Sequence, residues 1–208
     1  MGRPILTTSN VPASDKHPKK LEHFETFEQL IMPAQNNERI VFLSGDVNES
    51  SITQVINQIL TMAHQNEKPI NMIVSTYGGS VDEMFSLYDV IKSLPCPVHT
   101  IGLGKVMSAG VLLLSSGVKG KRLIGRSTRI MIHPISSMVG GNVFEMMNET
   151  SEIQRMQNLM IDAMVSETSM SKEQLQKLMK SGHDNFLTPS EAINLGIADK
   201  IFGEHLTK

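Results

Sequence analysis

Apolar positions along the chain change period several times, and each change predicts an element. After Asn36 and Asn37, the run Arg39-Ile40-Val41-Phe42-Leu43 ends at Ser44-Gly45, the pattern of a buried strand. Ile52, Val55, Ile56, Ile59 and Leu60 follow at the spacing of one helix face. A second strand is predicted over 70–74, stopping at Tyr77-Gly78-Gly79. A helix then starts at Ser80, with Glu83 three places on in a capping-box arrangement. A third strand covers 98–101 and leads into a small-residue segment over 102–117; a fourth covers 129–133.

The C-terminal third is more helical. From Val143 through Met147, Ile153, Met160 and Met164 runs a wide apolar stripe at helical period. A further helix is predicted over 171–180. Another has Thr188 as N-cap, Pro189 at its first position, Glu191 closing a capping box and Gly196 past its end. A strand over 197–201 closes the pattern, and a short helix is also predicted over 21–31. Strands alternating with helices of ten or more residues define an α/β class with a largely parallel sheet.

Composition narrows the class. A chain of 208 residues with 40% apolar positions suits one domain and buries roughly 70% of its unfolded surface without a metal or disulfide staple. The single cysteine, Cys96, has no internal partner and fits a reducing compartment. A formal net charge of -2 without a basic block leaves no nucleic-acid footprint. Apolar stretches such as 111–114 fall far short of the ~20 residues that span a bilayer. Residues 1–20, punctuated by Pro4, Pro12 and Pro18, lack the apolar core of a signal peptide and read as a flexible arm. The expected organisation is that arm, 1–20, and a single domain over 21–208, in a soluble intracellular protein with no nucleic-acid or membrane partner.

Missing patterns remove several chemistries. Gly104-Lys105 and Gly120-Lys121 lack the earlier glycine and the hydroxyl of a phosphate-binding loop, and no Gly-x-Gly-x-x-Gly opens a helix after a strand. None of the seven histidines stands in His-Glu-x-x-His, and a lone cysteine argues against a thiolate zinc site. No cofactor is called for.

Four places carry candidate chemistry. Met107-Ser108-Ala109-Gly110 lies between a strand and an apolar run, where a serine exposes its hydroxyl beside the free N–H groups of a helix's first turn. Taken alone, Ser108 is as well explained as a small packing residue or cap. Gly78-Gly79 lets a backbone N–H approach a ligand without a Cβ in the way, or simply makes a turn. His133 ends a strand and precedes Pro134, which favours an extended backbone; a structural histidine would sit there equally well. Asp184, in Gly182-His183-Asp184-Asn185-Phe186, is an ordinary turn aspartate or an acidic partner.

Together these segments resemble the proteolytic subunit of the Clp protease, a serine peptidase family with a crotonase-like fold. The resemblance starts at Glu38-Arg39-Ile40-Val41-Phe42-Leu43-Ser44-Gly45 and runs to about Phe202. It passes through Gly78-Gly79, Ser86-Leu87-Tyr88-Asp89, Met107-Ser108-Ala109-Gly110 and Gly117-Val118-Lys119-Gly120-Lys121-Arg122. Met131-Ile132-His133 and Asp184-Asn185-Phe186-Leu187 complete the series. The resemblance implies repeated β-β-α turns with a long handle-like helix. It implies Ser108 as nucleophile, His133 as general base and Asp184 orienting the imidazole, with the N–H groups of Gly79 and Ala109 as oxyanion hole. It further implies two stacked seven-membered rings in the cytoplasm, meeting through the Met-rich helix over 143–165, and a partner AAA+ unfoldase that feeds unfolded polypeptides.

The sequence departs from the family pattern at Tyr77, where proline is common, and at Pro134-Ile135-Ser136-Ser137-Met138, where a glutamine-proline-glycine-rich stretch is usual. His183 replaces a basic arginine, and the N-terminal arm lacks the usual opening. These changes mark a divergent member. The competing readings are a non-catalytic ring subunit, a crotonase-fold acyl-CoA enzyme, and a Clp-like protease of phage head maturation; the full Ser–His–Asp set favours a peptidase.

Overall fold

The computed structural model describes residues 39–180 and 182–202. The arm over 1–20 and the short helix over 21–31 lie outside them.

Strands alternate with helices through the first half of the fold: β1 (Ile40–Val47), α1 (Glu49–Gln65), β2 (Ile70–Gly79), α2 (Val81–Ser93), β3 (Val98–Met107) and α3 (Ala109–Ser115). Two short strands follow, β4 (Arg122–Gly125) and β5 (Arg129–Ile132), and then the long α4 (Val143–Glu167). The chain ends in α5 (Lys172–Lys180), β6 (Asn185–Leu187), α6 (Pro189–Asn194) and β7 (Lys200–Phe202). The sheet runs β1-β2-β3-β4-β7 with every pair parallel. β3 serves two neighbours on one edge: Thr100–Gly102 pairs with β4, and Lys105–Met107 pairs with β5. Only β6 runs antiparallel among the described strands, against β5. This is the mixed α/β architecture with a mostly parallel sheet that the pattern predicts.

Several strands outrun their sequence signal. β1 continues through Ser44-Gly45 to Val47, because its pairing with β2 tolerates a register shift between Ser44 and Asp46. β2 reaches Gly79 and β3 reaches Met107 for the same reason, with a shift between Val74 and Thr76. Glycines that signal a turn in isolation are carried within the ladder once parallel neighbours supply hydrogen bonds.

Caps match the sequence more closely. Asn48 closes a capping box with Ser51 on α1. On α2 only half of the predicted box forms: Ser80 accepts from the Glu83 N–H at 3.3 Å, while the Ser80 N–H donates to the Val47 carbonyl instead. Thr188, Pro189 and Glu191 open α6 as expected. The carbonyls at the end of α1 meet the buried Arg39 guanidinium, which donates to Met62, Asn66, Lys68 and Pro69.

The main core lies between the sheet and helices α1 to α4. Leu112, Leu113, Leu114 and Val111 make α3 a wholly buried helix packed against α2, and Ile52 and Ile59 of α1 join the same core with Met84 and Leu87 of α2. On α4 the burial is divided: Met160, Ile161 and Met164 are buried, whereas Val143, Phe144 and Met147 are exposed. Among the described residues, no helix is long and apolar enough to cross a membrane.

Candidate active site

Three parallel strands end at one place. Register pairs Thr76 with Val106 and Met107 with Met131, so the residues just beyond β3 and β5 are neighbours. Those residues are Ser108 and His133, beside Gly78-Gly79 at the very end of β2. The carboxyl ends of parallel strands are where open α/β sheets hold ligands. Pairing of Ile132 with Asn185 then sets the residue before β6, Asp184, opposite His133.

Ser108 takes φ 52° and ψ -123°, and no other non-glycine described residue has a positive φ. Such a backbone costs about 1–3 kcal/mol and persists where surrounding structure enforces it. Here the Ser108 N–H donates to the Met131 carbonyl at 2.8 Å, extending the β3–β5 ladder one residue past the strand. Its carbonyl accepts from Val111 N–H at 3.0 Å, the first bond of α3. Held between ladder and helix, the side chain makes no cap to its own helix. Its Oγ lies instead 2.8 Å from His133 Nε2.

The imidazole is partly buried, and its other nitrogen, Nδ1, lies 3.9 Å from Asp184 Oδ1. That is an ion-pair separation, longer than a hydrogen bond. Asp184 itself is about half exposed, with 55% of its side chain open to solvent. Asn185 anchors the turn behind it, its Nδ2 donating to the carbonyls of Ile132 and His183. With the proton on Nδ1, the ring turns a lone pair toward Ser108 and an N–H toward Asp184.

Gly78 has φ +102°, and its N–H donates to Thr76 Oγ1 at 2.9 Å. A Cβ there would stand 2.6 Å from Ser108 Cβ, so the glycine is what lets the β2 end lie against the serine. At Gly79 a Cβ would meet the Val47 carbonyl. Gly79, Ser108, Ala109 and His133 line one small cleft with Val81, Met84, Pro134, Ile135, Ser136 and Met160, with a volume of about 50 Å³. Polar and apolar surface share its lining about equally, with the Ser108 and His133 side chains among the polar part. Met160 was visible in the sequence as part of the helical stripe; Val81 and Met84 carried no signal of a site, since apolar helix positions read as core.

All five candidate residues therefore converge: Ser108 with His133 at hydrogen-bonding distance, Asp184 a little beyond it, and Gly79 and Ala109 on the cleft. Tyr77, where the sequence departs from the family pattern, is exposed and stacks under the Lys105 ammonium, 4.9 Å from the ring centroid. It is not among the residues that line the cleft.

A serine hydroxyl on a strained strand-to-helix turn, bonded to an imidazole at the mouth of a parallel sheet, has the chemistry of a serine hydrolase. Comparison with known proteins gives the family. The model of the Clp protease family matches residues 24–205. The ATP-dependent Clp protease proteolytic subunit of Borreliella afzelii is 33% identical over 187 residues, covering 88% of this chain and 94% of the relative. That of Deinococcus radiodurans is 31% identical over 168 residues, 80% of this chain and 81% of the relative. Proteolytic subunit 1 of Corynebacterium glutamicum is 30% identical over 167 residues, 79% of each chain. The chain belongs to the Clp protease family and is a Clp-type serine protease.

Proposed function

We propose that this chain is the proteolytic subunit of an ATP-dependent protease, cleaving unfolded polypeptides by an acyl-enzyme mechanism with Ser108 as nucleophile. The observation that carries the assignment is the 2.8 Å contact between Ser108 Oγ and His133 Nε2 on the strained turn.

In the proposed reaction, His133 Nε2 takes the hydroxyl proton as Ser108 Oγ attacks a peptide carbonyl. The carbonyl oxygen becomes an oxyanion in reach of the N–H groups of Gly79 and Ala109. As the tetrahedral adduct collapses, the C–N bond breaks, the leaving amine takes the proton from His133, and an ester remains on Ser108. Water, deprotonated by the same imidazole, then attacks the ester; the new carboxylate leaves and Oγ regains its proton. Asp184 holds the Nδ1–H tautomer and stabilises the imidazolium. Its separation from Nδ1 shortens to a hydrogen bond when the site closes on substrate, since catalytic contacts are commonly looser without one.

The assembly follows the family. Two stacked seven-membered rings enclose the sites, and a separate AAA+ unfoldase supplies polypeptide and hydrolyses ATP. A cytoplasmic setting goes with that reading, as does a single peptidase domain over 21–208. The exposed apolar half of α4, with Val143, Phe144 and Met147 at its surface, supports a contact between rings.

Intact-mass labelling with a serine-reactive fluorophosphonate tests the assignment. One adduct on the native chain, lost in Ser108→Ala, is expected. An adduct that survives Ser108→Ala overturns the nucleophile, and an assembled ring that takes none overturns catalysis.

A further inference from the structure

Past Ile132 the chain leaves the sheet, and residues 133–140 have neither helix nor strand. Yet this segment supplies one wall of the cleft, through Pro134, Ile135 and Ser136, and it begins at His133. A stretch without ladder bonds holds a wall in place only if something else fixes its backbone. The Ile135 N–H donates at 2.8 Å to Oε1 of Gln157, which lies 22 residues further on, in α4. One helical turn beyond Gln157, Met160 is buried and lines the same cleft. The helix thus meets the wall twice, at its backbone through Gln157 and across the cleft through Met160.

The rest of the Gln157 carboxamide makes the point sharper. Its Nε2 is buried and has no hydrogen-bond partner among the described residues. An unpartnered buried amide nitrogen is a net cost to the fold, one that a methionine of similar shape would not carry. For stability alone glutamine is a poor choice at this position; the bond to Ile135 is what it provides.

We propose that Gln157 is a positioning residue for peptide binding, acting through the Ile135 backbone to fix the cleft wall beside Ser108. This rests on the reading that the cleft holds the substrate peptide. Gln157 does not touch the reacting atoms, and the Ser108–His133 pair does not depend on it.

The test compares Gln157→Met and Gln157→Glu with the native full-length assembly. Methionine keeps the volume and removes the acceptor, whereas glutamate keeps an acceptor for the Ile135 N–H. Three quantities are read: kcat and KM for a short fluorogenic peptide, the rate of fluorophosphonate labelling, and the melting temperature. Gln157→Met is expected to raise KM about tenfold, as expected when one anchoring hydrogen bond is lost, and to leave kcat within about threefold. Labelling by the small probe, which needs the serine and imidazole but not the wall, stays at the native rate. Gln157→Glu recovers most of the KM. An unchanged KM in Gln157→Met overturns the proposal. So does a joint fall in labelling rate, kcat and melting temperature that Gln157→Glu fails to restore, since that is the mark of a purely structural residue. A native assembly that neither labels nor cleaves overturns the underlying reading and the proposal with it; a native assembly that does both beside an indistinguishable Gln157→Met overturns the proposal alone.

Discussion

Substituting Gly78 by alanine separates strain from contact at the nucleophile. The residue has φ +102°, and the new methyl would lie 2.6 Å from Ser108 Cβ, 3.0 Å from the Met107 carbonyl oxygen and 3.1 Å from Ser108 Oγ. Carbon atoms rest at about 3.5–4.0 Å, so the serine must move by roughly 1 Å. A displacement of that size typically costs about 10²-fold in rate, while the backbone strain costs about 1–3 kcal/mol of stability. For a chain of this length, that lowers the melting temperature by roughly 2–12 °C. Gly120→Ala is the control, because Gly120 also has a positive φ, +88°, but a Cβ there has nothing within 4 Å. Both variants should lose stability to strain by thermal melting, Gly78→Ala the more because its methyl also meets Ser108 and the Met107 carbonyl. Gly78→Ala alone should slow fluorophosphonate labelling and peptide cleavage by about 10²-fold. Native-rate labelling in Gly78→Ala would refute the reasoning, as would equal slowing in Gly120→Ala.

Other consequences follow from the same geometry. Asp184→Asn should lower kcat by about 10²–10⁴ with little change in melting temperature, because the half-exposed carboxylate contributes to tautomer and charge rather than to packing; a stopped-flow peptide assay beside a melt checks this. Arg122→Met should lower the melting temperature by roughly 6–20 °C, at about 3–5 kcal/mol, because it strands Asp199 and the Glu167 carbonyl in partly or fully buried positions. Burial raises the Asp199 carboxyl, but hydrogen bonds from the Arg122 side chain and N–H, the guanidinium charge and the Gly120 N–H outweigh it, leaving the net shift downward. A lowered folded value means that this stability is present above the ordinary carboxylate range and is lost as pH falls through the folded value. The gap in melting temperature between the native chain and Asp199→Asn should therefore shrink below about pH 4, and a gap constant from pH 7 to 3 contradicts the assignment. Phe144→Glu, at a position 78% exposed on α4, should shift the assembly to a smaller species in light scattering while leaving helical circular dichroism intact; an unchanged mass removes α4 from the ring contact.

Sequence signals are legible where their cause is local. The capping residues Thr188, Pro189 and Glu191 satisfy groups within one turn of themselves, so their pattern needs no partner from elsewhere. The apolar spacing of α1 and the start of α2 at Ser80 are legible for the same reason. β4 and β6 are not, being four and three residues long, too short to show a period. Each exists because a neighbour supplies its ladder: β4 sits between β3 and β7, and β6 lies against β5. The strand predicted over 197–201 is realised only as β7, Lys200–Phe202, since the preceding residues carry the Asp199 contacts to β4 and the preceding turn.

Residue identity by itself determined the chemistry on offer here: a serine among small residues, paired glycines at a strand end, a histidine before proline, an aspartate in a loop, and a single cysteine. Intrinsic propensity and side-chain functional groups are properties of the chain and survive without its fold. Tertiary structure alone decided that residues 78, 108, 133 and 184 meet, because parallel pairing across β2, β3 and β5 brings strand ends together that lie 30 and 25 residues apart. It also decided the 2.8 Å and 3.9 Å separations on the two sides of the imidazole, the strained backbone of Ser108, and the bond from Gln157 to the cleft wall. Hydrogen bonds are made or lost over a few tenths of an ångström, a scale that sequence spacing does not encode and that packing against the sheet fixes.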